Sequence, residues 1–348
     1  MNIGGRAINS NEEPFFIAEI SANHRGSLKN ALKIVDLAAA AGANAIKLQT
    51  FTANSLTINS DKSDFYINDP HSLWDGKKLW DLYHEAHTPI EWHEPIFRHA
   101  RESGLKCISS AFDLVSVKQL EELAVDAIKI ASFEIIHLPL IRAAGKTGIP
   151  VIISVGMASI EEIQDAVETL EDVGCKNYAL LQCTSAYPST EAEANITTIL
   201  DLRERFGCQI GLSDHCLRPY SVFAAVALGA TIIEKHLTTA RADGGPDGDF
   251  SLEPNEFLDM VSGAKLTAES IGVARYGVLS QEVTSHKERP SIYVSADILK
   301  GQKINEDNVR IIRPGFGLEP KFIDKIIGAE VTRDISVGTA LNWNMLKL

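Results

Sequence analysis

Two short apolar runs, residues 210–215 and 232–238, each lead into a histidine, His215 and His236. Each run has the length and composition of a buried strand. Where such strands are neighbours their imidazoles converge, which is the geometry a divalent metal site needs. Asp214 and Glu234 stand beside them and no thiolate converges. The expected ion is therefore a hard one, Mg²⁺ or Mn²⁺, with water in its open positions. The same two histidines could instead act as general bases or support other ligands.

A second chemistry is written at other strand ends. Ser110, Lys129, Ser132, Ser154 and Ser213 are small hydroxyls with one cation. Hydroxyls and backbone N–H groups donate to a phosphate, helix N-termini add partial positive charge, and a lysine neutralises one negative charge. Lys129 has an alternative role as a Schiff-base nucleophile. Glu19 and Glu134 either balance Lys47 and Lys129 or move a proton and hold sugar hydroxyls. Further polar residues fall at or past the same ends: Asn23, His24, Gln49, Ser109, Gln182, Thr184, Tyr187 and Lys235. The loop 241–248 is too glycine-rich for a helix; it either grips a polyol through its acids or is a flexible connection.

Positioning these groups requires a repeated element, and the chain has one. Apolar runs recur at residues 15–21, 44–50, 105–112, 127–132, 150–157, 178–185, 209–215 and 231–238. Helical periodicity lies between them, for example at 28–41, 90–103, 159–173, 196–206 and 219–228, with Ser27 and Ser159 as capping residues. The helical stretches close on Gly42, Gly104, Gly148, Gly174, Gly207 and Gly229 before the next strand. Continuous apolar strands imply a parallel sheet buried on both faces, and a count of eight favours a closed (β/α)8 TIM barrel over an open sheet. Chemistry then belongs at the C-terminal strand ends.

The barrel is expected over residues 1–275, a polar linker over 276–290, and a small β-rich domain over 291–348 with runs at 291–294, 309–313 and 329–331. An aromatic insertion at 55–88 could cover the barrel mouth or make a subunit contact. The net charge of −13 repels a phosphate backbone, so nucleic acid is a poor partner and any anionic substrate needs local cations. The five cysteines are odd in number, and none is spaced C-x-x-C. They read as reduced thiols in a cytoplasmic protein. No leader and no membrane span is expected.

The motifs Ala18-Glu19-Ile20-Ser21-Ala22-Asn23-His24, Ile46-Lys47-Leu48-Gln49-Thr50, Lys129-Ile130-Ala131-Ser132-Phe133-Glu134, Gly211-Leu212-Ser213-Asp214-His215 and Glu234-Lys235-His236 together resemble the sialic acid synthase family. Residues 291–348 are similar to its antifreeze-like (SAF) domain. Ser110 departs from the threonine often found there, but keeps the hydroxyl. Ser21-Ala22-Asn23-His24, Leu73-Trp74-Asp75 and the loop 241–247 are closest to the branch that uses 2,4-diacetamido-2,4,6-trideoxy-altrose.

The resemblance implies condensation of phosphoenolpyruvate with such an acetamido deoxy-hexose, releasing phosphate by C–O cleavage. Precursors of N-acetylneuraminate or legionaminate are the alternative sugars. It implies that Ser110, Lys129, Ser132, Ser154 and Ser213 hold phosphoenolpyruvate. His215 and His236 would hold the metal, and Glu134 would sit near the reacting carbons. Glu19, Lys47, Gln49, Tyr187 and Asp247 would line the sugar site, with Arg313 added from a neighbouring subunit of a domain-swapped homodimer. A Schiff-base aldolase and a non-enzymatic sugar-binding protein are the more distant readings.

Overall fold

The computed structural model describes residues 1–70 and 72–347. The chain divides into two compact units, Met1–Gly272 and Val273–Leu348.

In the first unit each expected apolar run contains a strand: β1 Phe15–Glu19, β2 Ala45–Thr50, β3 Lys106–Ala111, β4 Ala127–Ile130, β5 Val151–Ser154, β6 Tyr178–Cys183, β7 Gln209–Asp214 and β8 Ile232–His236. All eight are parallel and β8 pairs with β1, so the barrel is closed. Seven of the strands stop short of the C-terminal end of their run. After β4, for instance, the chain turns into a 3₁₀ segment, Ser132–Glu134.

The principal helices are α1 Leu28–Ala40, α2 Ile90–Glu102, α3 Leu114–Glu122, α4 Leu138–Lys146, α5 Ile160–Asp172, α6 Thr198–Phe206, α7 Tyr220–Ala227 and α8 Pro254–Ile271. Ser27 caps α1 by accepting from Asn30 N at 3.4 Å, and Ser159 forms a reciprocal capping box with Glu162 on α5. The six glycines read as helix stops all adopt positive φ.

Strand alternation sorts the core. Phe15, Ile17, Ile108, Ile152, Leu181 and Ile232 fill the barrel interior, while Phe16, Ile46, Ile128, Ile153, Leu180 and Ile233 pack outward among the helices. A hairpin of two-residue strands, Asn2–Ile3 and Arg6–Ala7, has no counterpart in the sequence reading, because so short a pair carries no periodic signal. It buries Ile3 and Ile8 against the inner cluster, and Asn2 and Asn177 exchange hydrogen bonds of 2.9 and 3.0 Å. The N-terminal end of the barrel is thereby stoppered, and the C-terminal end is left for chemistry.

In the second unit β9 Ser291–Val294 pairs antiparallel with β10 Val309–Ile312, and β11 Glu330–Val331 pairs with β12 Leu346–Lys347. Ile292, Val294, Ile304, Leu318 and Ile326 are among its own core. Residues 276–290, read as an aperiodic linker, contain a 3₁₀ turn, Ser280–Glu282, and a four-residue helix, Val283–His286. One helical turn is too short to leave a pattern in sequence. All five cysteines are free. Among the described residues no helix is long and apolar enough to cross a membrane.

Candidate active site

Directly above the apolar filling lies a polar layer produced by the same alternation. Glu19, Lys47, Gln49, Ser110, Lys129, Ser154, Cys183, Ser213, Glu234 and His236 are all in phase with the interior residues of their strands. Strand register sets them side by side: Glu19 opposite Lys47, Gln49 opposite Ser110, Ser110 opposite Lys129, Cys183 opposite Ser213, and Ser213 opposite Glu234.

Lys47 pairs with Glu19, lies 3.4 Å from Glu234 Oε1, and donates to Ser110 Oγ at 3.1 Å. Lys129 donates to Ser154 Oγ at 2.6 Å and to the Ile130 carbonyl at 3.1 Å. Ser213 donates to Glu234 Oε1 at 3.2 Å, and Ser132 and Ser185 share a hydrogen bond of 2.7 Å. The two lysines are matched by two glutamates, so the layer is not a bare cationic patch, and hydroxyls supply its neutral donors. Burial pulls Lys47 down to about 8, with Glu234 opposing. Burial also pushes Glu234 up, but Lys129 and Lys47 outweigh it and hold that carboxyl below its usual range.

His215 and His236 meet as the sequence suggested, with ring centroids 5.4 Å apart. His215 Nδ1 donates to the Thr184 carbonyl at 2.9 Å, which leaves its Nε2 lone pair free. His236 Nδ1 and Glu234 Oε2 are buried without a hydrogen-bond partner. Burial lowers both histidines, and His215 lowers His236 further, so both rings are neutral at neutral pH. Neutral imidazoles with unpaired ring nitrogens fit a divalent cation. Among the described residues no three His, Cys, Asp or Glu side chains converge on one point, so the remaining ligands would be water or substrate oxygen.

Asp214 is not part of this pair. It stands out of phase with Ser213 and points outward, accepting from Lys235 Nζ at 2.5 Å and from Ser221 Oγ on α7 at 2.8 Å. Lys235 shares that outward face. His24 is likewise structural: its Nε2 is bonded to Thr88 Oγ1 at 3.1 Å and its Nδ1 accepts from Gly26 N.

Glu134 ends the 3₁₀ turn after β4, with Oε2 buried and unpartnered. Burial raises it to about 7 against the opposing pull of Lys129, the range of a group that can both hold and release a proton near neutrality.

Aromatic rings form one wall of the mouth. Tyr187 lies 4.4 Å from His215 and Phe250 lies 4.9 Å from His236, centroid to centroid. Trp74, from the insertion, joins them at 5.8 Å from Tyr187 and donates through Nε1 to the Pro246 carbonyl at 3.0 Å. Trp74 thus brings one residue of the insertion to the mouth.

The loop 241–248 is pinned rather than flexible. Arg241 forks onto Glu256 at 2.5 and 2.7 Å, Arg25 pairs with Asp243 at 2.9 Å, and Ser251 Oγ donates to the Asp247 carbonyl at 2.6 Å. Asp247 accepts from Ser21 Oγ and, at 3.3 Å, from Ala22 N. Arg313 is exposed in the second unit, directly after β10. Phe250, Ser185 and Cys183 were missed from sequence; interior phase alone would have found Cys183, whereas nothing local marks the other two.

The chain is similar to known proteins over most of its length. Residues 34–276 match the NeuB family and residues 289–347 the SAF domain. The chain belongs to the NeuB family, in agreement with its resemblance to sialic acid synthases. It is 40% identical to the pseudaminic acid synthase of Campylobacter jejuni, over 98% of each chain. It is 37% identical to the pseudaminic acid synthase of Helicobacter pylori, over 95% of this chain and 97% of that one. Among solved structures it resembles the N-acetylneuraminic acid (sialic acid) synthetase of Leptospira borgpetersenii in complex with citrate. That match has a TM-score of 0.73 and 30% identity, and covers 82% of this chain and 94% of the other.

Proposed function

We propose that the protein is a transferase that makes pseudaminic acid, condensing phosphoenolpyruvate with 2,4-diacetamido-2,4,6-trideoxy-β-L-altropyranose and water and releasing phosphate. The observation that carries this reading is the polar layer, where hydroxyls, two lysines and a neutral histidine pair occupy one barrel mouth. The full-length likeness to two pseudaminic acid synthases supports that choice of sugar.

In the reaction C3 of phosphoenolpyruvate attacks the open-chain sugar aldehyde, water adds at C2, and phosphate leaves with its bridging oxygen as the C2–O bond breaks. Lys129 with Ser154, and Ser110, Ser132 and Ser213, hold the phosphate and carboxylate oxygens. A cation of the Mn²⁺ or Mg²⁺ class held by His215 and His236 would supply Lewis-acid polarisation of the aldehyde or of water. Glu134 holds or moves the proton exchanged with water or with the new alkoxide. Glu19 and Lys47, locked as an ion pair, face the sugar with Gln49, Tyr187 and Asp247. Arg313 of one chain completes the sugar site of the other in a domain-swapped homodimer, and the enzyme works in the cytoplasm.

In this reading Lys129, donating to Ser154 Oγ, and Lys47, paired with Glu19, act as charges and form no imine. Phosphate release should be fastest with the altrose substrate among the pseudaminate, legionaminate and N-acetylneuraminate precursors. It should fall to background after EDTA treatment and return with Mn²⁺. Full activity after exhaustive metal removal, or an imine trapped by borohydride, would overturn the mechanism; preference for another precursor would overturn the choice of sugar.

A further inference from the structure

Ser21 combines two features that no role described so far requires. It is buried, and its φ of +47° lies in the left-handed region, where a side chain with Cβ is disfavoured and glycine is not. Backbone strain at a site mouth directs attention to what the side chain does there. Its hydroxyl donates to Asp247 Oδ2, and its own N–H donates to Glu19 Oε1 at 2.7 Å. The neighbouring N–H of Ala22 reaches the same Asp247 oxygen at 3.3 Å. Two residues on, Asn23 Nδ2 donates to Ser251 Oγ at 2.8 Å, and Ser251 Oγ in turn donates to the Asp247 carbonyl. One short segment after β1 thus grips both the side chain and the backbone of Asp247, beside the point where the loop leaves the neighbouring strand β8.

We propose that Ser21 is a positioning residue for the sugar subsite, its hydroxyl fixing the Asp247 carboxylate so that the free oxygen, Oδ1, faces the sugar hydroxyls. The inference rests on the reading of Asp247 as a sugar-binding group. A carboxylate on a loop can point at a polyol or away from it, and a hydrogen bond to one oxygen removes that freedom before substrate arrives. Because the bond is made by a strained residue, the site keeps orientation at the expense of local backbone stability.

Ser21→Gly separates the two effects, since glycine accepts positive φ while losing the hydroxyl. The variant should fold and melt no lower than the parent. In steady-state phosphate release its KM for the sugar should rise about tenfold or more, the size of one hydrogen bond to a charged group, with KM for phosphoenolpyruvate unchanged. A double-mutant cycle with Asp247→Ala completes the test: if Ser21 acts through Asp247, Ser21→Gly adds little once the carboxylate is gone. An unchanged sugar KM in Ser21→Gly, or additive effects in the cycle, would overturn the proposal. A parent enzyme that condenses none of the candidate sugars would instead defeat the functional reading on which it rests.

Discussion

Glu134 is the residue whose environment speaks most directly about proton transfer. Burial places it near pH 7 while Lys129 pulls the other way, so its protonation changes in the range where the enzyme would work. Glu134→Gln keeps the shape and removes the ionisation. We expect kcat to fall by about 100- to 10,000-fold and the limb of the pH–rate profile near 7 to vanish; a profile that keeps that limb would reassign it to another group. At this scale the sequence was legible where strand phase could be applied. Ser110, Lys129, Ser154, Ser213 and Glu234 share the interior face. Asp214 was misjudged because adjacency in sequence was allowed to stand for adjacency in space, and one step along a strand reverses direction.

Among the elements, β7 leads directly into His215 and β8 ends on His236, and Gly211 sets the approach of the two strands. A Cβ at that position would lie 2.3 Å from the Ile232 carbonyl and 2.6 Å from Leu181 Cδ2, inside the barrel where neither can retreat. Gly211→Ala should therefore cost about 1–3 kcal/mol in urea denaturation and weaken Mn²⁺ binding by spreading the histidine pair. Wild-type stability and metal affinity together would refute that view of the strand spacing. Element existence was readable because eight apolar runs recur along the chain and six glycines stop the helical stretches between them. The N-terminal hairpin and the ring wall of Trp74, Tyr187 and Phe250 were not, since their partners are brought together only by the closed barrel.

For the barrel as a whole, two buried histidines outside the mouth bear on acid tolerance. His24 and His93 are each held at about 4, mainly by burial, against an ordinary 6.5. The unfolded chain takes up protons there before the folded chain does, so their contribution is intact above pH 6.5 and is lost as pH falls towards 4. It is on the order of 3 kcal/mol each at the bottom of that window. Glu134 has the opposite sign, since between its ordinary 4.5 and about 7 the folded chain binds the extra proton, and stability from this group declines as pH rises. With four lowered histidines, His24, His93, His215 and His236, against two carboxyls raised by burial, Glu134 and Asp247, the urea midpoint should drop between pH 6.5 and 4.5, and His93→Gln should flatten the drop. A midpoint constant across that range would contradict the assignment.

Closure of the sheet through β8 and β1 places Glu19 and Lys47 from the start of the chain beside Glu234 and His236, more than 180 residues later. The reactive centre therefore straddles the seam of the barrel. A nascent or partly folded chain can hold most of its strands and still lack one half of the site. Catalytic competence is then an all-or-none reporter of completed folding, and a polar, charge-bearing layer is never assembled until the protein around it is ready to bury it.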